Sequence, residues 1–282
     1  MSGKISFSQD IVKDPLDRFT VLNYNVRNFK PEDYVLSISG DVDTPKDITL
    51  AELQAMEQVT RKATKMCGTN SNAGSMIYNA EYTGVDLTTL LKSLGVKKGA
   101  NSTFASSYDG WGFPIALSLM EENKAILILK VNGEDLEAVK GYPVTLGIPG
   151  QGGFVWVKYL KSIAISTVAE DKIPKPLPIM YPVNSGFLKP PKDGTETSSP
   201  AHVEGWAFCS YQGTLTKLLL SADYGKTWNE YPFPAGMDPA QWIYWKIDWT
   251  PPGAGTYLLK VKAQAGDKVQ EKEDNVIIKV TG

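Results

Sequence analysis

Histidine is nearly absent from this chain: His202 is the one example in 282 residues. A lone imidazole excludes most zinc sites, a serine–histidine–aspartate triad centred anywhere else, and a haem held by two histidines. The motif that attaches a c-type haem is missing too. Any oxidoreductase built on this chain is therefore expected to carry no haem and to need a separate electron carrier. Arginine is also scarce. Of 29 basic residues only Arg18, Arg27 and Arg61 offer the guanidinium fork that suits oxyanions. Two cysteines, Cys67 and Cys209, lie far apart, and nothing in their spacing supports a disulfide. No apolar run reaches the ~18 residues of a membrane span. The opening residues, Met1-Ser2-Gly3-Lys4, show no signal peptide. A net charge of -2 and a pI near 5.6 leave no basic field for a phosphate backbone, so nucleic acid is not an expected partner.

The length allows one large or two ordinary domains. Seven of the 18 prolines fall between Ile173 and Pro200, beside Asn184-Ser185-Gly186 and Asp193-Gly194. That stretch reads as an extended connector, dividing the chain into residues 1–172, a connector over 173–200 and a domain over 201–282. Before it, helix and strand signals mix. Tyr34 to Ile38 reads as a strand, and Val59 to Cys67 as extended chain. Thr49 with Glu52 forms a capping-box pattern, as does Ser118 with Glu121. Asp86 can cap a helix carrying Leu87, Leu90, Leu91 and Leu94, ended by Gly95. Ala125 to Val131 reads as a buried strand turning at Asn132-Gly133. After the connector, apolar residues alternate: Ile243, Trp245, Ile247 and Trp249, then Tyr257, Leu259, Val261 and Ala263, then Val276, Ile278 and Val280. Short strands punctuated by turns predict a β-sandwich.

Four segments could carry chemistry. Cys67 enters a polar loop, Gly68-Thr69-Asn70-Ser71-Asn72-Ala73-Gly74. If the preceding strand reaches Cys67, Arg61 and Lys65 share its face, and cations favour the thiolate that binds metals. The plainer reading is a buried cysteine acting as a small hydrophobe. Asn23-Tyr24-Asn25-Val26-Arg27-Asn28 is rich in amides, or else a solvated loop. Tyr108-Asp109-Gly110-Trp111-Gly112-Phe113-Pro114 is a turn with a carboxylate and two aromatics, or else a hairpin tip. The run from Gly141 through Pro149-Gly150-Gln151-Gly152-Gly153 to Lys158 could bring backbone amides and one cation to an anionic ligand, or could simply turn the chain. Lys158 sits in an apolar run read as a strand, where a buried ammonium needs a partner.

In their order, these features resemble the sulfite oxidase family of molybdenum cofactor enzymes. Cys67 takes the place of the family's metal-ligating cysteine. Asn132-Gly133, Gly141-Tyr142-Pro143-Val144-Thr145, Pro149-Gly150 and Val157-Lys158-Tyr159-Leu160 are similar to a further family pattern. Val203-Glu204-Gly205-Trp206 and the run from Ser221 to Trp228 resemble its immunoglobulin-like dimerisation domain. The resemblance implies an α+β chain: a mixed α/β molybdopterin-binding domain followed by an all-β immunoglobulin-like sandwich. It implies a molybdenum–molybdopterin cofactor and oxygen-atom transfer to or from a small-molecule substrate. Cys67 would ligate the metal. Asn23, Asn25, Arg27, Asn28, Tyr108, Gly150, Gln151, Gly152, Gly153 and Lys158 would hold the pterin and its phosphate. Thr69, Asp109 and Trp111 would shape the catalytic pocket. A cytochrome or membrane subunit would carry electrons, a homodimer is implied, and the family favours a place outside the cytoplasm.

There are departures. The loop after the cysteine commonly reads Gly-Asn-Arg-Arg in sulfite-oxidising members; here it is Thr69-Asn70-Ser71-Asn72. A family histidine and arginine are replaced by Lys140 and Thr145. The expectation is therefore a substrate other than sulfite, such as a neutral S- or N-oxide. The alternative is a cofactor-free relative that acts as a binding module.

Overall fold

The computed structural model of the chain describes residues 1–11, 28–210 and 213–281. Asn23, Asn25 and Arg27 lie outside the described residues. The chain forms two compact units interleaved in sequence. One gathers Met1–Thr20, Met66–Asn79 and Pro178–Gly282, and the other Val21–Lys65 and Ala80–Leu177.

The first unit is a β-sandwich. In the strand Ile243–Trp249 the apolar residues are buried and Lys246 and Asp248 are exposed, as period-two alternation requires. One sheet orders Gly3–Ser8, Ile243–Trp249, Ala201–Cys209 and Val183–Lys189, all antiparallel. The facing sheet orders Thr195–Ser198, Asp274–Thr281, Gly255–Ala265, Leu215–Ser221 and Asn229–Pro232, with Lys268–Val269 beside Gly255–Ala265. Val203, Trp245 and Ile247 from one sheet share a core with Leu218, Leu220, Leu259, Val261 and Ile278 from the other. Each such burial contributes roughly 1.5–3 kcal/mol. A one-residue slip would turn the whole set to solvent, so the register is firmly specified. Two of these strands, Val183–Lys189 and Thr195–Ser198, lie in the proline-rich stretch. Pro182 and Pro190 flank the first of them, so their missing N–H donors fall outside its ladder.

The second unit is also built on sheets. One orders Lys46–Thr49, Val35–Gly40, Leu160–Ser166, Ser102–Ser107 and Gly112–Ala116. Its central pair, Val35–Gly40 with Leu160–Ser166, is parallel. Another orders Thr145–Gly147, Ile126–Val131, Ile77–Asp86 and Gln58–Met66. Asn132 and Gly133, both at positive φ, turn Ile126–Val131 into the short strand Glu134–Asp135, as their dipeptide predicts. No helix among the described residues is long and apolar enough to cross a membrane.

The mixed helix-and-strand class expected for the first part of the chain is corrected: the described residues are mostly β. They hold twenty strands and three α-helices, Leu50–Ala55, Leu87–Ser93 and Leu117–Glu122, of six or seven residues each. The helical signals are real but short. Thr49 and Glu52 close a full capping box, and Asp86 caps the second helix through the Thr89 N–H. None lasts more than about two turns, and the apolar residues between them alternate into sheets. The capping pattern at Ser118 and Glu121 also fails. The third helix starts from Ala116 with no side-chain cap, which leaves Ser118 inside its first turn.

Candidate functional site

Cys67 follows directly on the strand Gln58–Met66. Its N–H donates to the Met76 carbonyl at 2.9 Å, so the pairing runs one residue beyond the strand before the chain loops away. The loop is internally braced. The Asn70 N–H donates to the Cys67 carbonyl at 3.0 Å, the Met76 N–H to Asn70 Oδ1 at 3.0 Å, and the Gly74 N–H to the Ser71 carbonyl at 2.9 Å. A side chain at Gly74 would meet Asn70 Oδ1 at 2.4 Å and Ser71 Oγ at 2.5 Å, so only glycine fits there. Asn70 is fully buried, yet its Nδ2 finds no partner among the described residues. Cys67 Sγ lies 3.3 Å from Thr69 Oγ1, a contact between two of the expected catalytic residues.

The two cysteines differ in kind. Cys209 is 4% exposed and belongs to the sandwich core, whereas Cys67 is half-buried in a polar loop; both are free thiols. Cys209 follows the plain hydrophobe reading and Cys67 does not.

The loop is rooted on the sandwich unit. Met66 and Ile77, at its two ends, pack with Ile179, Leu188, Trp206, Phe208 and Trp242. Above that apolar root lies a set of amides. Asn184, fully buried on Val183–Lys189, accepts from the Ala73 N–H at 2.8 Å and donates to the Ser71 carbonyl at 3.0 Å. Gln270, 3% exposed, donates to Asn72 Oδ1 at 2.9 Å. It also accepts from Ser185 Oγ at 2.5 Å and the Ala263 N–H at 3.1 Å. Sequence reasoning missed Asn184 and Gln270. Asn184 is a polar residue in an otherwise buried strand, whereas Gln270 is a buried residue between exposed neighbours, which the sequence does not mark.

The remaining expected residues belong to the second unit. Gly150 adopts φ +78, where a side chain would be strained, and turns the chain toward Gly152 and Gly153. The Gln151 N–H is committed to the Ile148 carbonyl at 3.1 Å, and Gln151 Nε2 donates to Asn123 Oδ1 at 3.3 Å. The N–H groups of Gly152 and Gly153 donate to no carbonyl among the described residues. These two amides are what the segment offers an anion.

The strand expected around Lys158 is not formed. Gly153–Val155 is a 3-10 turn, Val157 makes a single bridge to Leu146, and Tyr159 takes φ 51. Lys158 Nζ donates to the Val139 carbonyl at 2.9 Å. Lys140 pairs with Glu137 at 2.5 Å, and the Thr145 hydroxyl donates to the Lys140 carbonyl at 3.1 Å.

Tyr108 has structural work: its hydroxyl donates to the Val35 carbonyl at 2.6 Å and its ring meets Phe29 at 5.0 Å. Beside it, the Tyr34 hydroxyl donates to the Leu160 carbonyl at 2.7 Å. Burial, then Tyr108, pushes the Tyr34 phenol well above its ordinary range. Asp109 closes its own turn by accepting the Trp111 N–H at 3.0 Å. Trp111 is 47% exposed and stacks on Phe113, and Asn28 is exposed. Of the two cations expected to share the cysteine's face, Arg61 is bound to Asp86 and Lys65 lies 5.5 Å from the Trp156 ring centre. Burial would raise the Asp86 carboxyl, but the Thr89 amide and the Arg61 guanidinium outweigh it and hold the carboxyl below its usual range. His202 lies on the surface against Asp248.

Taken unit by unit, these residues are compatible with parts of a molybdopterin group. In the first unit a half-buried thiol is the soft donor that molybdenum takes, and Asn70 keeps a buried donor in the thiol's own loop. In the second unit the Gly152 and Gly153 amides, which donate to no carbonyl among the described residues, suit a phosphate.

Comparison with known proteins agrees. Residues 23–173 match the family model described as the oxidoreductase molybdopterin binding domain. The chain is 28% identical over 181 residues to mitochondrial sulfite oxidase of Drosophila melanogaster, which covers 56% of this chain and 31% of that protein. It is 25% identical over 280 residues to the NADPH nitrate reductase of Emericella nidulans, covering 79% of this chain and 32% of that one. It thus spans about a third of the length of these curated relatives. Among solved structures it shares the fold of the sulfane dehydrogenase SoxCD from Paracoccus pantotrophus. The TM-score is 0.72 at 24% identity, over 87% of this chain and 70% of that one. With the family model matched over residues 23–173, more than half of its length, the chain belongs to the oxidoreductase molybdopterin-binding domain family, that of sulfite oxidase.

Proposed function

We propose that this chain is a molybdenum cofactor-dependent oxidoreductase that moves an oxygen atom to or from a small substrate other than sulfite. One observation carries the reading: a free, half-buried thiol at position 67, fixed at the end of a strand by a braced loop. When bound, the cofactor supplies two-electron chemistry at the metal, which the protein does not itself provide. Cys67 contributes the protein's thiolate ligand. The Thr69 hydroxyl, 3.3 Å from that sulfur, can donate to it and steady its position. The Gly152 and Gly153 amides, with Lys158, would hold the pterin phosphate. Asp109 and Trp111 would line the substrate entrance, Trp111 offering an apolar face.

Substrate charge is argued from arginine. The loop after Cys67 has none, and Arg61 is spent on Asp86. A charged hydrogen bond is typically worth about 1.5–3 kcal/mol, so lacking two weakens sulfite binding by more than about a hundredfold. With sulfite and an artificial electron acceptor, we expect little or no turnover, and more with a neutral S- or N-oxide under reducing conditions. Sulfite turnover at rates ordinary for an enzyme would overturn the substrate assignment.

A separate electron carrier and a homodimer built through the sandwich, read as an immunoglobulin-like module, complete the proposal. A second reading, a cofactor-free binding module, draws support from Lys140 and Lys158. Both ammonium groups have partners in the protein, Glu137 and the Val139 carbonyl, and so need no phosphate to account for them. Metal analysis of protein made in a host that synthesises the cofactor separates the two. About one molybdenum per chain is expected; none would favour the module.

A further inference from the structure

Asn184 and Gln270 lie on sandwich strands or their connections, 113 and 198 residues from the loop residues they bind. Both are nine-tenths or more buried, and both direct polar atoms into the loop that carries Cys67. The loop's own bonds, Asn70 to Cys67 and Gly74 to Ser71, shape it but do not anchor it. Among the bonds that anchor it are those of Asn184 to both sides of the Ser71–Ala73 backbone and of Gln270 to the Asn72 side chain, beside the Met180 N–H donating to the Gly68 carbonyl at 3.0 Å and Asn72 Nδ2 to the Glu273 carbonyl at 3.5 Å. Gly186 permits the approach: a side chain there would meet Ala73 Cβ and Asp274 Oδ2, each at 3.2 Å.

We infer that Asn184 and Gln270 are positioning residues for the metal ligand: the sandwich acts as the mount that sets the Cys67 sulfur. The inference rests on Cys67 being the ligand, yet part of it can be read without any metal. A buried amide with every polar atom bonded holds its partners in one geometry, and removing it frees the loop backbone to open locally.

The test uses Asn184→Leu and Gln270→Met, which lack the hydrogen bonds, in the full chain. Val261→Ala in the sandwich core serves as a control of comparable stability loss. Amide hydrogen exchange over residues 67–76 is measured in cofactor-free protein. Both variants should exchange there at least about fivefold faster, with the control unchanged in that segment. In protein from a cofactor-producing host, the same variants should lose molybdenum, or shift its paramagnetic resonance signal in what they retain. The control should do neither. Exchange within twofold of the parent in whichever variant folds would overturn the mount. So would faster exchange with unaltered metal content and signal. If the parent itself holds no molybdenum, the ligand reading fails, and the exchange result still decides whether these amides fix the loop.

Discussion

Cys67→Ser is expected to remove molybdenum from the protein and reduce any oxygen-transfer activity by more than about a hundredfold. Loss of groups that merely support a metal ligand already costs 10–100-fold, and the ligand itself must cost more. A serine hydroxyl is a hard, protonated donor, poorly suited to the position a thiolate fills. Folding should be nearly untouched, within about 1 kcal/mol, because the sulfur is half-buried and belongs to neither apolar cluster of the sandwich unit. Cys209→Ser should do the reverse. It buries a hydroxyl in the sandwich core, at a cost of about 1–3 kcal/mol, and leaves metal content per folded chain unchanged. Metal analysis and urea unfolding of the two proteins give the answer. Full metal content in Cys67→Ser would end the assignment of the ligand.

Asp86→Ala should destabilise the chain by about 2–4 kcal/mol at pH 7, through loss of a helix cap together with stranding of Arg61. The carboxylate caps the helix Leu87–Ser93 and binds a guanidinium whose side chain is 19% exposed and whose other nitrogen, Nη1, is buried without a partner among the described residues. Asp86→Asn keeps an acceptor for the Thr89 N–H and should lose about half as much. The effect depends on pH with a definite sign. The folded carboxyl sits below its usual range, so its contribution is present above the ordinary aspartate value near ~4 and fades as pH falls through the lower folded value. The gap between parent and Asp86→Ala should therefore be widest near neutrality and close in acid. Urea titrations at several pH values measure it, and a gap that widens in acid would contradict the pairing.

Many local elements of the fold, and the polar loop at Cys67, were legible because their signals are local. Cys67 entering a polar loop, the Thr49–Glu52 box, Asp86 before four leucines and the Asn132-Gly133 turn each depend on residues within one turn or hairpin of each other. The strands after Pro200 were legible for the same reason: alternation is read from neighbours. The rest depends on tertiary partners. The capping pattern at Ser118 and Glu121 misplaced its helix, which starts from Ala116 with no side-chain cap. Lys158 stood in an apolar run, but two glycines just before it favour a tight turn, and the ladder there shrinks to one bridge. Val183–Lys189 was hidden by its flanking prolines. Asn184 and Gln270 could not be found at all, since nothing in a linear text joins an asparagine to a loop more than a hundred positions earlier.

The distance between the cysteine loop and its amide partners also sets an order of events on the ribosome. Asn72 leaves the exit tunnel 198 residues ahead of Gln270. With synthesis at ~5–20 residues per second, that is about ten seconds or more during which the nascent thiol has no finished seat. Contacts this distant in sequence also form slowly after release. On the proposed function, a pterin that needs the seated loop is bound only after Gln270 has been made and has docked.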